Sequence, residues 1–118
     1  MDDAERIIRR AYTAFNARDI DAALATMAPD VDWPNAIEGT RLVGHDAVRA
    51  YWEGQFREFS PHVEPVGFRT LDGGRVAVDV DQTVRPLDGD VISEERVVHV
   101  YAFRDGLVAR MEISRRGR

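Results

Sequence analysis

The chain has 118 residues, 44% of them hydrophobic, with no cysteine and a formal net charge of −5. That length supports one buried core without metal or disulfide staples and leaves no room for a second, so residues 1–118 read as a single domain. The lack of cysteine removes disulfide frameworks and thiolate metal sites, and the negative balance speaks against nucleic acid as a partner.

No apolar run approaches the ~20 residues of a membrane span. The opening Met1-Asp2-Asp3-Ala4-Glu5 lacks the basic and apolar regions of a signal peptide. The expectation is a soluble cytoplasmic protein with no membrane partner. The closing Arg115-Arg116-Gly117-Arg118 reads as a solvated terminus rather than a phosphate-binding patch.

From Asp3 to Ala17 apolar residues recur at Ile7, Ile8, Ala11 and Phe15, with charge at Glu5, Arg6, Arg9 and Arg10. This period predicts an amphipathic helix capped by Asp2 or Asp3. Asn16 to Asp19 is a break with a new cap, and Ile20, Ala23, Leu24 and Met27 predict a short second helix closed by Pro29. Val31-Asp32-Trp33 is a short extended piece held so by Pro34. Asn35–Val43, polar and containing Gly39, is expected to be a loop. A third helix starts near Gly44-His45-Asp46, carries the stripe Val48, Tyr51, Trp52, Phe56 and Phe59, and stops at Pro61.

Beyond His62 the period changes to two. Strands are predicted at Val63–Leu71, Arg75–Arg85, Val91–Phe103 and Leu107–Ser114, joined through Asp72-Gly73-Gly74, Pro86 to Asp90, and Arg104-Asp105-Gly106. The last of these is the strongest hairpin signal, because Asp-Gly supplies positive φ. Helices followed by strands indicate an α+β domain with an antiparallel sheet. In Val91–Phe103 one face holds Val97, His99, Tyr101 and Phe103, and the other Val98, Val100 and Ala102. Both are apolar except for His99. The second stripe would lie open to water in a monomer, which predicts a two-fold homodimer formed sheet against sheet.

Four short stretches, Ala14-Phe15-Asn16-Ala17-Arg18-Asp19, Met27-Ala28-Pro29-Asp30-Val31-Asp32-Trp33, Gly44-His45-Asp46-Ala47-Val48 and Val100-Tyr101-Ala102-Phe103-Arg104-Asp105-Gly106, occur in an order that resembles the nuclear transport factor 2-like superfamily, in its SnoaL-like and ketosteroid-isomerase-like branch. The resemblance implies a cone-shaped, cystatin-like fold: three helices packed into a strongly bent antiparallel sheet, with a pocket between them. Ketosteroid isomerases carry a catalytic carboxylate after the first strand, an aspartic acid on the long third strand of the meander, and a tyrosine in the first helix. Those positions fall here at or beside Asn35, at His99, and near Ala11. Tyr12 is one place away and is expected to point about 100° around the helix. An amide cannot take the isomerase proton, whereas Asn and His in the cone resemble SnoaL-type polyketide cyclases.

The candidate catalytic residues are therefore His99, Asn35 and Asp32, the last as the one acid carried as a proton acceptor. The candidate ligand wall is Trp33, Tyr51, Trp52, Gln82, Tyr101 and Met111. His99 has two readings: a general base or hydrogen-bond donor, or a buried neutral histidine satisfied by Gln82 or a carbonyl. The three histidines are not spaced as a zinc set, and no calcium or phosphate loop is present, so neither metal nor cofactor is expected. The functional expectation is a cofactor-free isomerase, cyclase or hydrolase acting on a hydrophobic small molecule. The alternative is a non-catalytic ligand-binding or dimerisation module.

Overall fold

In the computed structural model, which describes residues 3–35, 38–87 and 93–114, three helices sit in the concavity of a six-stranded sheet that curls without closing. Helix α1 (Asp3–Asn16) buries Ile8, Ala11, Tyr12 and Ala14, and pairs Arg9 with Glu5 one turn away on its wet face. Arg18 ends it in the left-handed region at φ 64°, which lets the Asp19 amide reach the Ala14 carbonyl at 2.8 Å. A glycine would suit that backbone better. Arg18 instead brings its guanidinium 4.5 Å from the Phe56 ring and bonds the Phe15 carbonyl.

Helix α2 (Ile20–Leu24), capped by the Asp19 carboxylate, is shorter than the sequence period suggested. Met27, expected in the helix, opens strand β1 (Met27–Asn35). The residue before Pro29 must be extended, and the Thr26 carbonyl already accepts the Val108 amide at 2.9 Å, so the sheet claims the chain two residues early. The expected loop Asn35–Val43 is also corrected: Thr40–Val43 is strand β2, paired with β1 through a turn in which Gly39 has φ 74°.

Helix α3 (His45–Glu58) buries Val48 and Trp52. Phe59 does not extend it but begins strand β3 (Phe59–Thr70), and Pro61 sits inside that strand opposite Val84. Proline is tolerated there because β3 is an edge, where a missing N–H leaves no neighbour unpaired. Strands β4 (Val76–Pro86), β5 (Ser93–Arg104) and β6 (Leu107–Ser114) complete the meander, with Asp105 and Gly106 at positive φ in the final turn as their sequence required. The first two positions of the expected Val91–Phe103 strand, Asp88 to Asp90 of the preceding turn, the possible cap Asp2, and the arginine tail lie outside the described residues.

Strand order is β2-β1-β6-β5-β4-β3. The sheet is not antiparallel throughout: β1 runs parallel to β6, through Met27 opposite Val108 and Asp32 opposite Arg110. One core joins the inner faces of β4 and β5 to α1 and α3, with Val78, Val80 and Val97 at its centre. On the outer face of β5, Val98 is buried and Val100 and Ala102 are half-buried, between the ion pairs Arg96–Asp81 and Arg110–Glu112. No helix among the described residues is long and apolar enough to cross a membrane.

Candidate functional site

Between the helices and the concave sheet lies a cavity of about 130 Å³. Side chains reach it from α1, α3 and every strand except β2. Phe15, Trp52 and Trp33 form one wall as a run of edge-on rings, with centroids 5.5 Å and 5.6 Å apart. Met111, Val63 and Tyr101 are buried at the floor, and Tyr51, Gln55 and Gln82 are half-buried at the rim. No charged side chain lines the cavity among the described residues.

The polar part of the floor is a three-residue chain. Alternation along β5 turns His99 and Tyr101 inward together, and Tyr12 descends from α1 to meet them. The Tyr101 hydroxyl donates to the Tyr12 hydroxyl at 2.8 Å, and the Tyr12 oxygen lies 2.8 Å from His99 Nδ1. A hydroxyl has one proton. With Tyr12 accepting from Tyr101, its own proton goes to Nδ1, which fixes the imidazole as the Nε2–H tautomer. No buried side-chain nitrogen or oxygen among the described residues lacks a partner, and Nε2 makes no hydrogen bond to the protein, so Nε2 is solvent-accessible where His99 meets the cavity.

Burial lowers the His99 pKa from 6.5 to about 4, so the ring is neutral across the physiological range. Burial likewise pushes both tyrosines up, and the neighbouring Tyr101 adds to the rise at Tyr12. Neither phenol gives up its proton readily. The arrangement is thus a hydrogen-bond donor whose polarity is set from behind, in a mostly apolar site.

The structure brings His99, Trp33, Tyr51, Trp52, Gln82, Tyr101 and Met111 together around this cavity. It does not bring in Asp32 or Asn35. Trp33 faces inward, so Asp32 faces outward, where Arg41 (2.7 Å) and Arg110 hold it. Asn35 starts the β1–β2 turn, with its side-chain oxygen on the Glu38 amide at 3.0 Å. Tyr12 is the correction in the other direction. Expected to point away, it is the direct partner of His99, in place of Gln82 or a carbonyl. Its signal was the spacing Ile8, Ala11, Tyr12, Phe15, which is one helix face.

Among solved structures, the chain is similar to a nuclear transport factor 2-like protein of unknown function from Burkholderia pseudomallei (28% identity, 96% of this chain and 90% of that one, TM-score 0.84). It is equally similar to TerC co-crystallised with polyporic acid (28% identity, 95% and 90%, TM-score 0.83). A Mycobacterium tuberculosis protein in complex with estradiol-17β-hemisuccinate shares the fold at 22% identity (96% and 93%, TM-score 0.83). No curated protein matches the sequence. The family model for the SnoaL-like domain matches residues 8–111, nearly the whole chain, and with the bent sheet and enclosed helices it establishes that this chain belongs to the SnoaL-like family of the nuclear transport factor 2-like fold.

Proposed function

We propose that this protein binds a hydrophobic small molecule in the cone and polarises an oxygen of that molecule through His99. The observation that carries this reading is a neutral imidazole whose Nε2–H opens on an apolar cavity, held in one tautomer by Tyr12 and Tyr101. The relatives' complexes with polyporic acid and estradiol-17β-hemisuccinate support a small-molecule ligand.

As an enzyme it is a cofactor-free isomerase, cyclase or hydrolase. A donor fixed before reaction stabilises an oxygen that gains charge in the transition state, and loss of one such donor typically costs 10²–10³ in rate. His99 then acts as hydrogen-bond donor, not base, since its Nδ1 is occupied and its pKa is low. The proton in motion travels within the substrate or through water. The second reading, a non-catalytic binder, is favoured by the lack of a lining carboxylate among the described residues.

Native mass spectrometry for a co-purified compound, followed by its titration into wild type and His99→Gln, tests the proposal. Binding that leaves the His99 ring resonances unmoved removes it. Turnover lost in His99→Gln with binding retained selects the enzyme; binding with no turnover in wild type selects the carrier. We also propose a homodimer through the outer face of β5, supported by partly exposed Val100 and Ala102. Sedimentation at micromolar concentration showing a monomer would end that idea.

A further inference from the structure

We infer, resting on the reading above, that the ligand is an uncharged compound of one-ring size with an acceptor oxygen at one end, of the aryl or cyclic ketone class, seated with that oxygen on His99 Nε2–H. Three observations define this class. The first is space. At about 130 Å³ the cavity falls below the ~300–1,000 Å³ of ordinary small-molecule sites and close to the ~150 Å³ that holds a benzene ring. The walls do not yield cheaply. Enlarging the cavity toward α3 means breaking the edge-on contacts of Trp52 with Trp33 and Phe15, and enlarging it toward α1 means breaking the Tyr12 hydrogen bonds.

Charge is the second. Among the described residues, the polar atoms that reach the cavity come from neutral side chains, chiefly Tyr51, Gln55 and Gln82 at the rim and His99 at the floor. A carboxylate brought inside would lose its hydration against no cation among those residues, and an ammonium would meet no anion among them. The third is polarity along the cavity axis. The buried end offers one N–H donor, so the inner end of the ligand is an acceptor. The half-buried end offers amide and phenol groups that both give and accept hydrogen bonds, so a polar substituent is tolerated only there.

The test is an NMR titration of the wild-type chain at neutral pH with three probes: acetophenone, benzoate as its charged counterpart of like size, and androst-4-ene-3,17-dione as a four-ring ketone. Acetophenone is expected to shift the His99 ring nitrogens together with the Tyr101, Met111 and Gln82 amides. Benzoate is expected to bind at least about tenfold more weakly, since its charge has no partner. The steroid ketone should leave these signals in place. Met111→Ala, which widens the floor, should gain a two-ring ketone, 2-acetylnaphthalene, that wild type refuses. Benzoate affinity within tenfold of the ketone's overturns the proposal. So does a steroid ketone that binds more tightly than acetophenone with shifts at the same residues, an outcome that leaves the role of His99 standing and removes only the size. No response to any of the three overturns this proposal, and titration of the co-purified compound then decides the reading on which it rests.

Discussion

Burial holds the His99 imidazole near a pKa of about 4, against 6.5 for the free side chain. The unfolded chain therefore takes up a proton below pH 6.5 that the folded chain refuses, and stability falls as pH drops from 6.5 toward 4. The full contribution is present above 6.5 and is on the order of 3 kcal/mol. Urea unfolding between pH 4 and 7 should show this slope, and His99→Gln should flatten it. The tyrosine behind His99 is expected to matter for a different reason. Tyr12→Phe strips the partner from Nδ1 and from the Tyr101 hydroxyl at once, both buried, and should cost roughly 1–3 kcal/mol in chemical denaturation. It also frees the ring to exchange tautomers, which ¹⁵N shifts of the imidazole would report. Asp32 offers the contrast. Its pairs with Arg41 and Arg110 are about a third exposed on the Asp32 side, so Asp32→Ala should change stability by less than about 1 kcal/mol and leave ligand binding as it was. A loss of binding in that variant would return Asp32 to the site.

Helix α3 shows how one element serves core and cavity together. Trp52 is 4% exposed, meets Trp33 and Phe15 edge-on, and also touches the cavity. Trp52→Ala should cost on the order of 3–5 kcal/mol by thermal or chemical unfolding, the range for deleting a buried aromatic. A loss under about 1 kcal/mol would mean that the ring serves only as a lid. Elements with a clean period were legible from sequence: α1 from its apolar spacing, and the β5–β6 hairpin from Asp105-Gly106. The rest was hidden where a local signal lost to a distant partner. Thr40–Val43 has one inward apolar residue and no strand-like alternation, yet it pairs along β1. Phe59 fits the helical stripe of α3, yet its extended backbone at φ −137° joins the edge strand. Propensity could not foresee either, because the deciding hydrogen bonds cross from other parts of the chain.

At the scale of the molecule, the bend of the sheet converts a list of inward residues into a site. The resemblance to the cone-shaped fold, more than periodicity, directed His99 and Gln82 toward one space with Trp33, Tyr51, Trp52, Tyr101 and Met111 as its walls. These seven line the cavity, while Asn35, directed there with them, does not. Neither the resemblance nor periodicity could reveal the bond between Tyr12 and His99, which are 87 positions apart. Neither gave a measure of how much room the aromatic rings leave. The parallel pairing of β1 with β6 carries a consequence for how the protein is made. Strand β6 is the last described strand to leave the ribosome, and it stands between β1 and β5. Until it emerges, β1 with its partner β2 has no sheet to join, and Trp33 lacks the part of the floor that Met111 supplies. A nascent chain that stops before Leu107 should keep its tryptophans quenchable by iodide and refuse ligand, and release of the following residues should protect them in one step. Refolding of the complete chain should be correspondingly slow for its size, in the range of milliseconds to seconds by stopped-flow fluorescence, because its closing contact spans most of the sequence.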